Sequence, residues 1–284
     1  MTMHVFVAGA TGVIGRRVVA LLVERGDTVT AMTRRPDAAE RLRSLGARPM
    51  VADAYDGAGL RAAMEQDRPD VVMHQLTDLS ASDTAANAAL RTEGTRNLVD
   101  AARAAGVARI VAQSVAWAYE PGETPADESV ALEVGADEPR RTTVLGVAAL
   151  EDAVREVPEW VVLRYGLLYG PDTWFAPDGA RAEDARAGRL VADAAVTSFV
   201  HVDDAANAAV AALAWPSGNV NVCDDEPAAG TAWVPVFCAA VGAPAPPADP
   251  SARPPWARGA SNARARRALG WEPRYPSWRS GLGA

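Results

Sequence analysis

The chain has 284 residues, 49% of them hydrophobic, which is enough to bury a sizeable core. Its formal net charge of -8 argues against a broad nucleic-acid surface, and no apolar stretch is long enough to span a membrane, so we expect a small molecule as partner. Cys223 and Cys238 have no CxxC partner or histidine cluster around them, so we expect no metal site, no disulfide framework and a cytoplasmic location.

Over residues 1–165, short β-prone segments alternate with helical ones. An apolar run at 5–8 precedes a glycine-rich turn and a helical pattern at 16–25. We predict further strands at 28–33, 48–52, 71–75, 110–114 and 161–165, and helices at 38–45, 59–66, 92–105 and 142–154. This alternation predicts an α/β fold of the Rossmann type, a doubly wound parallel sheet with helices on both faces.

Beyond residue 165 the alternation weakens. We therefore predict that residues 1–165 form a dinucleotide-binding core and residues 166–284 a small substrate-binding region. Within the latter, residues 198–222 return two strands and a helix to the core. The other predicted features are helices at 180–187, 231–241 and 261–269, the last capped by Ser261, and a proline-rich connection at 243–255.

The glycine-rich turn after the first strand is typical of a dinucleotide-binding site. Its three glycines are spaced as GxxGxxG. One glycine permits the turn, one lets the backbone approach a pyrophosphate, and one lets the helix pack on the strand. Amides at the start of the helix would bind the anion. A tight turn without a ligand is the alternative, which the strand, turn and helix context disfavours. The predicted contacts are Gly9, Thr11, Gly12, Val13, Ile14 and Gly15.

The end of the second predicted strand favours NADP over NAD. An NAD-selective site usually has an acid there, whereas this strand is followed by Arg34 and Arg35. We expect Asp53 beside the adenine and Gln75, after the fourth strand, beside the cofactor. The alternatives are that the two arginines solvate a turn, that Asp53 is an ordinary turn residue, and that the cofactor is NAD.

Six segments follow one another in a characteristic order. They are residues 7–15 (VAGATGVIG), 70–74 (DVVMH), 94–98 (GTRNL), 163–171 (LRYGLLYGP), 199–204 (FVHVDD) and 269–273 (LGWEP). Together they resemble the short-chain dehydrogenase/reductase superfamily, in its extended or atypical branch of NAD-dependent epimerase/dehydratase-like proteins. The resemblance covers nearly the whole chain. It implies a small-molecule substrate and a monomer or a homodimer formed through the helices at 92–105 and 142–154.

The proton relay that the resemblance implies is absent. Family members that oxidise or reduce carbonyls use a Tyr-x-x-x-Lys pair, in which the lysine lowers the pKa of the proton-transferring tyrosine. Alignment of the helix at 142–154 through Glu151 places Thr143 at the tyrosine position and Val147 at the lysine position. The chain contains no lysine, and the family's asparagine ahead of Gly94 is matched by Arg91.

The candidate catalytic residues therefore stand at other positions. Tyr119 is the predicted substitute proton donor, with Ser114 near the end of the fifth strand and His74, as a general acid or base, at the end of the fourth. Each has an alternative. Tyr119 would be a packed aromatic, Ser114 an uncertain match to the family's serine, and His74 a hydrogen-bonded interior histidine.

These observations predict an NAD(P)-binding enzyme that acts on a small molecule, possessing epimerase-, dehydratase- or reductase-like activity and a place in secondary metabolism. The absence of both relay residues favours non-standard or non-redox chemistry, such as an isomerase, cyclase or lyase reaction. The alternative is a non-catalytic NADP(H)-binding sensor or regulatory protein.

Overall fold

The computed structural model describes residues 2–78 and 84–282. The strands are β1 (His4–Ala8), β2 (Thr28–Thr33), β3 (Arg48–Val51), β4 (Val71–His74), β5 (Arg109–Val115), β6 (Glu159–Tyr165), β7 (Leu167–Tyr169), β8 (Ala192–Asp193), β9 (Val196–Thr197), β10 (Phe199–His201), β11 (Gly218–Val222), β12 (Ala228–Ala229) and β13 (Ala248–Asp249). The α-helices are α1 (Val13–Glu24), α2 (Ala39–Ser44), α3 (Gly57–Asp67), α4 (Thr84–Ala89), α5 (Thr95–Ala104), α6 (Arg140–Val154), α7 (Ala180–Arg186), α8 (Val202–Ala211), α9 (Gly230–Ala240) and α10 (Ala263–Leu269).

Seven strands form one sheet in the order β11-β6-β5-β4-β1-β2-β3. The pairings from β3 through β5 are parallel, with Val7 of β1 opposite Ala31 on one side and Met73 on the other. Strand β1 is buried on both faces because successive side chains point to opposite sides and both sides are apolar. The predicted α/β fold with a parallel central sheet is confirmed.

The chain divides into two compact units. The first consists of Met1–Ser114, Glu133–Leu163 and Ala209–Asn219, and the second of Val115–Leu132, Arg164–Ala208 and Val220–Ala284. The assignment of residues 1–165 to the cofactor and 166–284 to the substrate concerns function and stays a prediction.

The core of the first unit lies between the sheet and the helices. Phe6 and Val72 on the sheet pack with Leu60 of α3, Leu98 of α5 and Leu150 of α6. The apolar residues of these helices recur at helical spacing, so one face of each helix is buried against the strands. This packing fixes the ends of β1, β2 and β4, where the candidate site lies.

The second unit has its own aromatic core. Phe199 makes edge-to-face contacts with Tyr169, Phe175 and Trp233, with ring centroids 5.3 to 6.3 Å apart. The indole of Trp278 is fully buried in the same cluster. Contacts of this geometry favour a single packed arrangement of the rings.

Three details differ from the sequence expectations. Helix α4 was not predicted, because the alanine-rich run at 84–89 has no clear apolar period. A π-helical turn, Leu90–Gly94, joins it to α5 where one continuous helix from residue 92 was expected. The last helix begins at Ala263 with Asn262 as N-cap, although the Ser261 hydroxyl does accept the Ala263 amide at 3.3 Å.

Within residues 2–78 and 84–282, no helix is both long enough and apolar enough to cross a membrane.

Candidate functional site

The glycine-rich turn between β1 and α1 is too tight for side chains at two of its positions. Gly9 has a φ of +86°, and a Cβ there would lie 2.5 Å from the Gln75 carbonyl oxygen. A Cβ on Gly15 would lie 2.0 Å from the Gly9 carbonyl oxygen. Neither contact can be relieved by moving a flexible side chain, so glycine is required at both positions.

The N-terminus of α1 is open to an anion. The Gly12 amide donates to the Gly9 carbonyl at 3.0 Å, which closes the turn. No side chain in the described part of the chain caps the helix at Gly12. The amides of the first turn and the helix dipole are thus available to a negatively charged ligand.

A cavity of about 240 Å³ opens beside this turn, within the first unit. It brings together seven of the predicted cofactor residues, whereas Val13, Ile14 and Gly15 are not part of its wall. The cavity also has lining residues that sequence reasoning did not single out. The full lining is Gly9, Thr11, Gly12, Met32, Thr33, Arg34, Arg35, Ala52, Asp53, Ala54, Tyr55, Gln75, Leu76, Thr77, Asp78 and Leu90.

Gln75 carries a buried side-chain amide that has no hydrogen-bond partner among the described residues. Its side chain is 6% exposed and lines the cavity, yet neither its amide nitrogen nor its amide oxygen has a hydrogen-bond partner in the described structure. A buried amide without partners costs free energy, so such a group indicates that a ligand supplies the missing bonds.

The β2 end of the cavity is positively charged. Arg34 and Arg35 both line it and are exposed, and neither makes an ion pair with a carboxylate of the described residues. Asp53 also lines the cavity, and its carboxylate accepts the Tyr55 amide at 3.0 Å. The last residue of β2 is Thr33, so the acid of an NAD-selective site is absent from this strand end.

His74 is held as a neutral, structural residue. Burial lowers its pKa to about 3, helped by the positive charge of Arg91. Its Nδ1 accepts the Leu76 amide at 3.2 Å, so Nε2 carries the proton and donates to Thr95 Oγ1 at 2.8 Å. With both nitrogens engaged, His74 orients the chain at the end of β4, and these bonds disfavour a role in proton transfer.

Ser114 is tied to a buried acid. Its hydroxyl donates to Glu151 Oε1 at 2.8 Å, and both side chains are almost completely buried. The other oxygen of Glu151 accepts from Arg155 at 3.1 Å. The contact joins β5 to α6 and leaves the serine hydroxyl committed to the protein interior.

Helix α6 offers no proton relay at the expected positions. Val147 is buried and Thr143 is half-buried, and the helix contains neither tyrosine nor lysine. A Cβ on the adjacent Gly146 would lie 3.1 Å from Ala88 Cα, so α6 and α4 are in close contact at this level.

Tyr119 is locked in the second unit. Its hydroxyl donates to Asn221 Oδ1 at 2.5 Å, and the Arg164 guanidinium lies 4.9 Å from the centroid of its ring. Burial raises the pKa of Tyr119 above its ordinary value. A phenol with a raised pKa and an engaged hydroxyl is a poor proton donor at neutral pH.

Aromatic residues between positions 165 and 175 lie in the second unit as well. Tyr169 and Phe175 belong to its aromatic core, and Tyr165 is buried. Trp174, by contrast, is 41% exposed. Among the described residues, no group of three or more His, Cys, Asp or Glu side chains could hold a metal ion.

Comparisons with known proteins place this geometry in context. Residues 5–223 match the family described as the NAD dependent epimerase/dehydratase family. The chain is 46% identical, over 306 aligned positions and 99% of both chains, to a Streptomyces protein named 3-diazoavenalumate denitrifying reductase.

Solved structures share the fold. A Thermus thermophilus UDP-glucose 4-epimerase, in complex with NAD, is 26% identical over 99% of this chain and 97% of its own, with a TM-score of 0.75. A Bordetella bronchiseptica enzyme, WbmH, in complex with NAD+, has a TM-score of 0.79 at 20% identity, over 100% of this chain and 97% of its own.

Proposed function

The chain belongs to the NAD-dependent epimerase/dehydratase family of short-chain dehydrogenase/reductase proteins, and from this premise we propose that it is a denitrifying reductase of a diazo carboxylate. The observation that carries the proposal is the 46% identity, over 99% of both chains, to a reductase of that name. The missing tyrosine and lysine support it independently, because replacement of a diazonium group, C–N≡N⁺, by a hydride requires no proton from the protein.

The residues of the first unit fit a nicotinamide dinucleotide. The open N-terminus of α1 suits a pyrophosphate, and the glycines of the preceding turn let it approach the backbone. The partnerless amide of Gln75 supplies donors and an acceptor inside the cavity. Arg34 and Arg35 favour NADP, since their charges suit a 2'-phosphate and β2 ends in Thr33 instead of an acid.

When bound, a reduced nicotinamide would supply a hydride to the carbon of the diazo group in its diazonium form, C–N≡N⁺, with formation of a C–H bond and loss of N₂ as the C–N bond breaks. Charge and atoms balance in this step without an added proton. The substrate class follows the name of the Streptomyces relative, a diazo compound with a carboxylate.

This chemistry explains what the chain lacks. Carbonyl reduction creates an alkoxide that must be protonated, which is the task of a tyrosine activated by a lysine. Loss of N₂ leaves no oxyanion, so Thr143 and Val147 are acceptable at those positions. Tyr119, Ser114 and His74 are then free to serve as the hydrogen-bonded interior residues that the structure describes.

The proposal is tested by incubating the purified chain with NADPH and 3-diazoavenalumate. We expect avenalumate, N₂ and oxidised cofactor in a 1:1:1 ratio, followed by the absorbance of the reduced nicotinamide and by chromatography. A product formed without consumption of the cofactor would instead favour non-redox chemistry. Tight NADPH binding with no product from diazo carboxylates would favour the sensor alternative.

A further inference from the structure

The π-helical turn Leu90–Gly94 carries a buried charge that no described residue neutralises. Arg91 is 4% exposed, its Nε has no hydrogen-bond partner, and no carboxylate of the described residues pairs with it. Burial lowers the pKa of Arg91 to about 10, which leaves it charged at neutral pH. An uncompensated buried charge is strongly unfavourable, so its presence calls for a ligand that pairs with it.

Arg91 follows a wall residue of the cofactor cavity and is not itself part of that wall. The preceding residue, Leu90, is part of the cavity wall. The charge of Arg91 acts on His74, whose neighbour Gln75 lines the cavity at the end of β4. These relations associate Arg91 with the β4 end of the cavity, whereas Arg34 and Arg35 line the β2 end.

The turn that holds Arg91 also has an unusual backbone. π-helical turns are rare, and they frequently occur at functional sites because the extra residue redirects side chains. Here the turn follows α4, which packs closely on α6 at Ala88 and Gly146. Arg91 lies three residues after Ala88, and Val147 lies one residue after Gly146, so the two positions belong to neighbouring turns of packed helices.

We propose that Arg91 binds an oxyanion next to the cavity wall at Leu90, and that it supplies from the π-helical turn the positive charge that α6 lacks at Val147. The ligand group is a phosphate oxygen of the dinucleotide or the carboxylate of the substrate, both of which form charge-assisted hydrogen bonds with a guanidinium. The carboxylate source rests on the proposed function, whereas the phosphate source does not.

Binding and stability measurements on the full chain test the assignment. Arg91→Met and Arg91→Gln remove the charge, Arg91→Lys keeps it, and Arg61→Met removes an exposed arginine paired with Glu65 on α3 as the control. The ligands are NADPH, titrated by fluorescence, and avenalumate in the presence of NADP+, titrated by calorimetry. Avenalumate is what remains when the relative's named substrate loses its diazo group.

We expect each neutral variant to bind at least one ligand at least tenfold more weakly, while Arg91→Lys stays within about threefold of the wild type. Loss of NADPH affinity identifies the phosphate as the partner, and loss of avenalumate affinity alone identifies the carboxylate. The ligand-free neutral variants should also melt at a higher temperature than the wild type, because they no longer bury an unpaired charge. A purely structural arginine would give the opposite shift.

Two results would overturn the assignment. One is unchanged affinity of both neutral variants for both ligands. If the wild type binds NADPH but not avenalumate, unchanged affinity for NADPH alone has the same meaning. The other is failure of both neutral variants to fold while Arg91→Lys folds, which would show that the charge is needed by the protein itself. Failure of the proposed function has a different signature, namely wild-type protein that binds NADPH but releases no N₂ from a diazo carboxylate.

Discussion

Arg34 and Arg35 follow β2 at the position where an NAD-selective site has an acid, and both line the cavity. We predict that the double variant Arg34→Ala/Arg35→Ala binds NADPH at least tenfold more weakly but NADH within about twofold of the wild type, because only NADPH carries a 2'-phosphate. Fluorescence titration with both cofactors measures this. The exposed Arg103, on the far helix α5 and paired with Glu156, supplies the control variant Arg103→Ala. Equal losses for both cofactors would contradict NADP selectivity.

Tyr119 has a fixed hydrogen bond to Asn221 and no part in the proposed chemistry. Tyr119→Phe should therefore keep kcat/KM for diazo reduction within about threefold, whereas removal of a general acid typically costs ~100-fold or more. The same variant should lose about 1 kcal/mol of unfolding free energy, measured in urea, through the lost hydrogen bond. Tyr55→Phe, at an exposed tyrosine, is the stability control. A hundredfold fall in kcat/KM of Tyr119→Phe in a stably folded protein would restore Tyr119 as a proton donor.

At the residue scale, local pattern predicted some features and could not predict others. The glycine turn and the two arginines after β2 were predictable because their roles depend on residues close in sequence. The bond between Ser114 and Glu151 joins residues 37 positions apart, and the partnerless state of Gln75 depends on the packing around it. Arg91 stood out only as a mismatch to the family's asparagine, since nothing local shows that it is buried or that its Nε lacks a partner among the described residues.

The cofactor site depends most on the close contact between α1 and the preceding turn. Gly15→Ala places a Cβ 2.0 Å from the Gly9 carbonyl oxygen, so the helix must move away from the turn. We predict a lower melting temperature and at least tenfold weaker NADPH binding, measured by thermal denaturation and fluorescence. Gly135→Ala, where a new Cβ has no atom within 4 Å, is the matched control and should change neither. Wild-type affinity in Gly15→Ala would show that the turn does not hold the cofactor.

Asp224 ties the end of β11 to the C-terminal 3₁₀ turn Trp278–Ser280 in the second unit. Its carboxylate accepts the Trp278 amide at 2.8 Å, and burial raises its pKa to about 8. The folded state therefore holds a proton that the unfolded state, whose pKa is near 3.8, has released. This group's contribution to stability must fall as the pH rises from about 4 to 8, and level off above 8.

Asp224→Asn should remove that dependence, because an amide keeps the acceptor oxygen but does not ionise. The measurement is the unfolding free energy in urea at pH 6 and pH 8, with the exposed Asp178→Asn as the control. The wild type and the control should lose more stability over this interval than Asp224→Asn. An equal loss in all three proteins would mean that Asp224 is already ionised at pH 6.

The elements of the first unit were largely predictable because hydrophobic periodicity reflects burial on a sheet. The strand predicted at 28–33 coincides with β2, and the helix predicted at 142–154 begins two residues later than α6. The π-helical turn was not predictable, since one extra residue in a turn leaves no mark on local composition. The short strands of the second unit depend on partners distant in sequence, such as β8 and β13.

For the molecule as a whole, the family fold does not decide the reaction, because one scaffold carries many chemistries. The decision comes from what the chain lacks together with what it resembles over its full length. A reductase without a proton relay is coherent if its reacting carbon needs no proton, and replacement of a diazonium group, C–N≡N⁺, by a hydride meets that condition. The net charge of -8 leaves the arginines at the cavity as local features rather than part of a basic surface.

The most direct test of this account is isotope transfer from the cofactor. NADPH with both C4 hydrogens of the nicotinamide replaced by deuterium is incubated with the protein and 3-diazoavenalumate in ordinary water. We predict avenalumate with one deuterium at the carbon that carried the diazo group, and no deuterium at that carbon when unlabelled NADPH is used in D₂O. Deuterium taken up from D₂O, or unlabelled product from the labelled cofactor, would contradict hydride transfer.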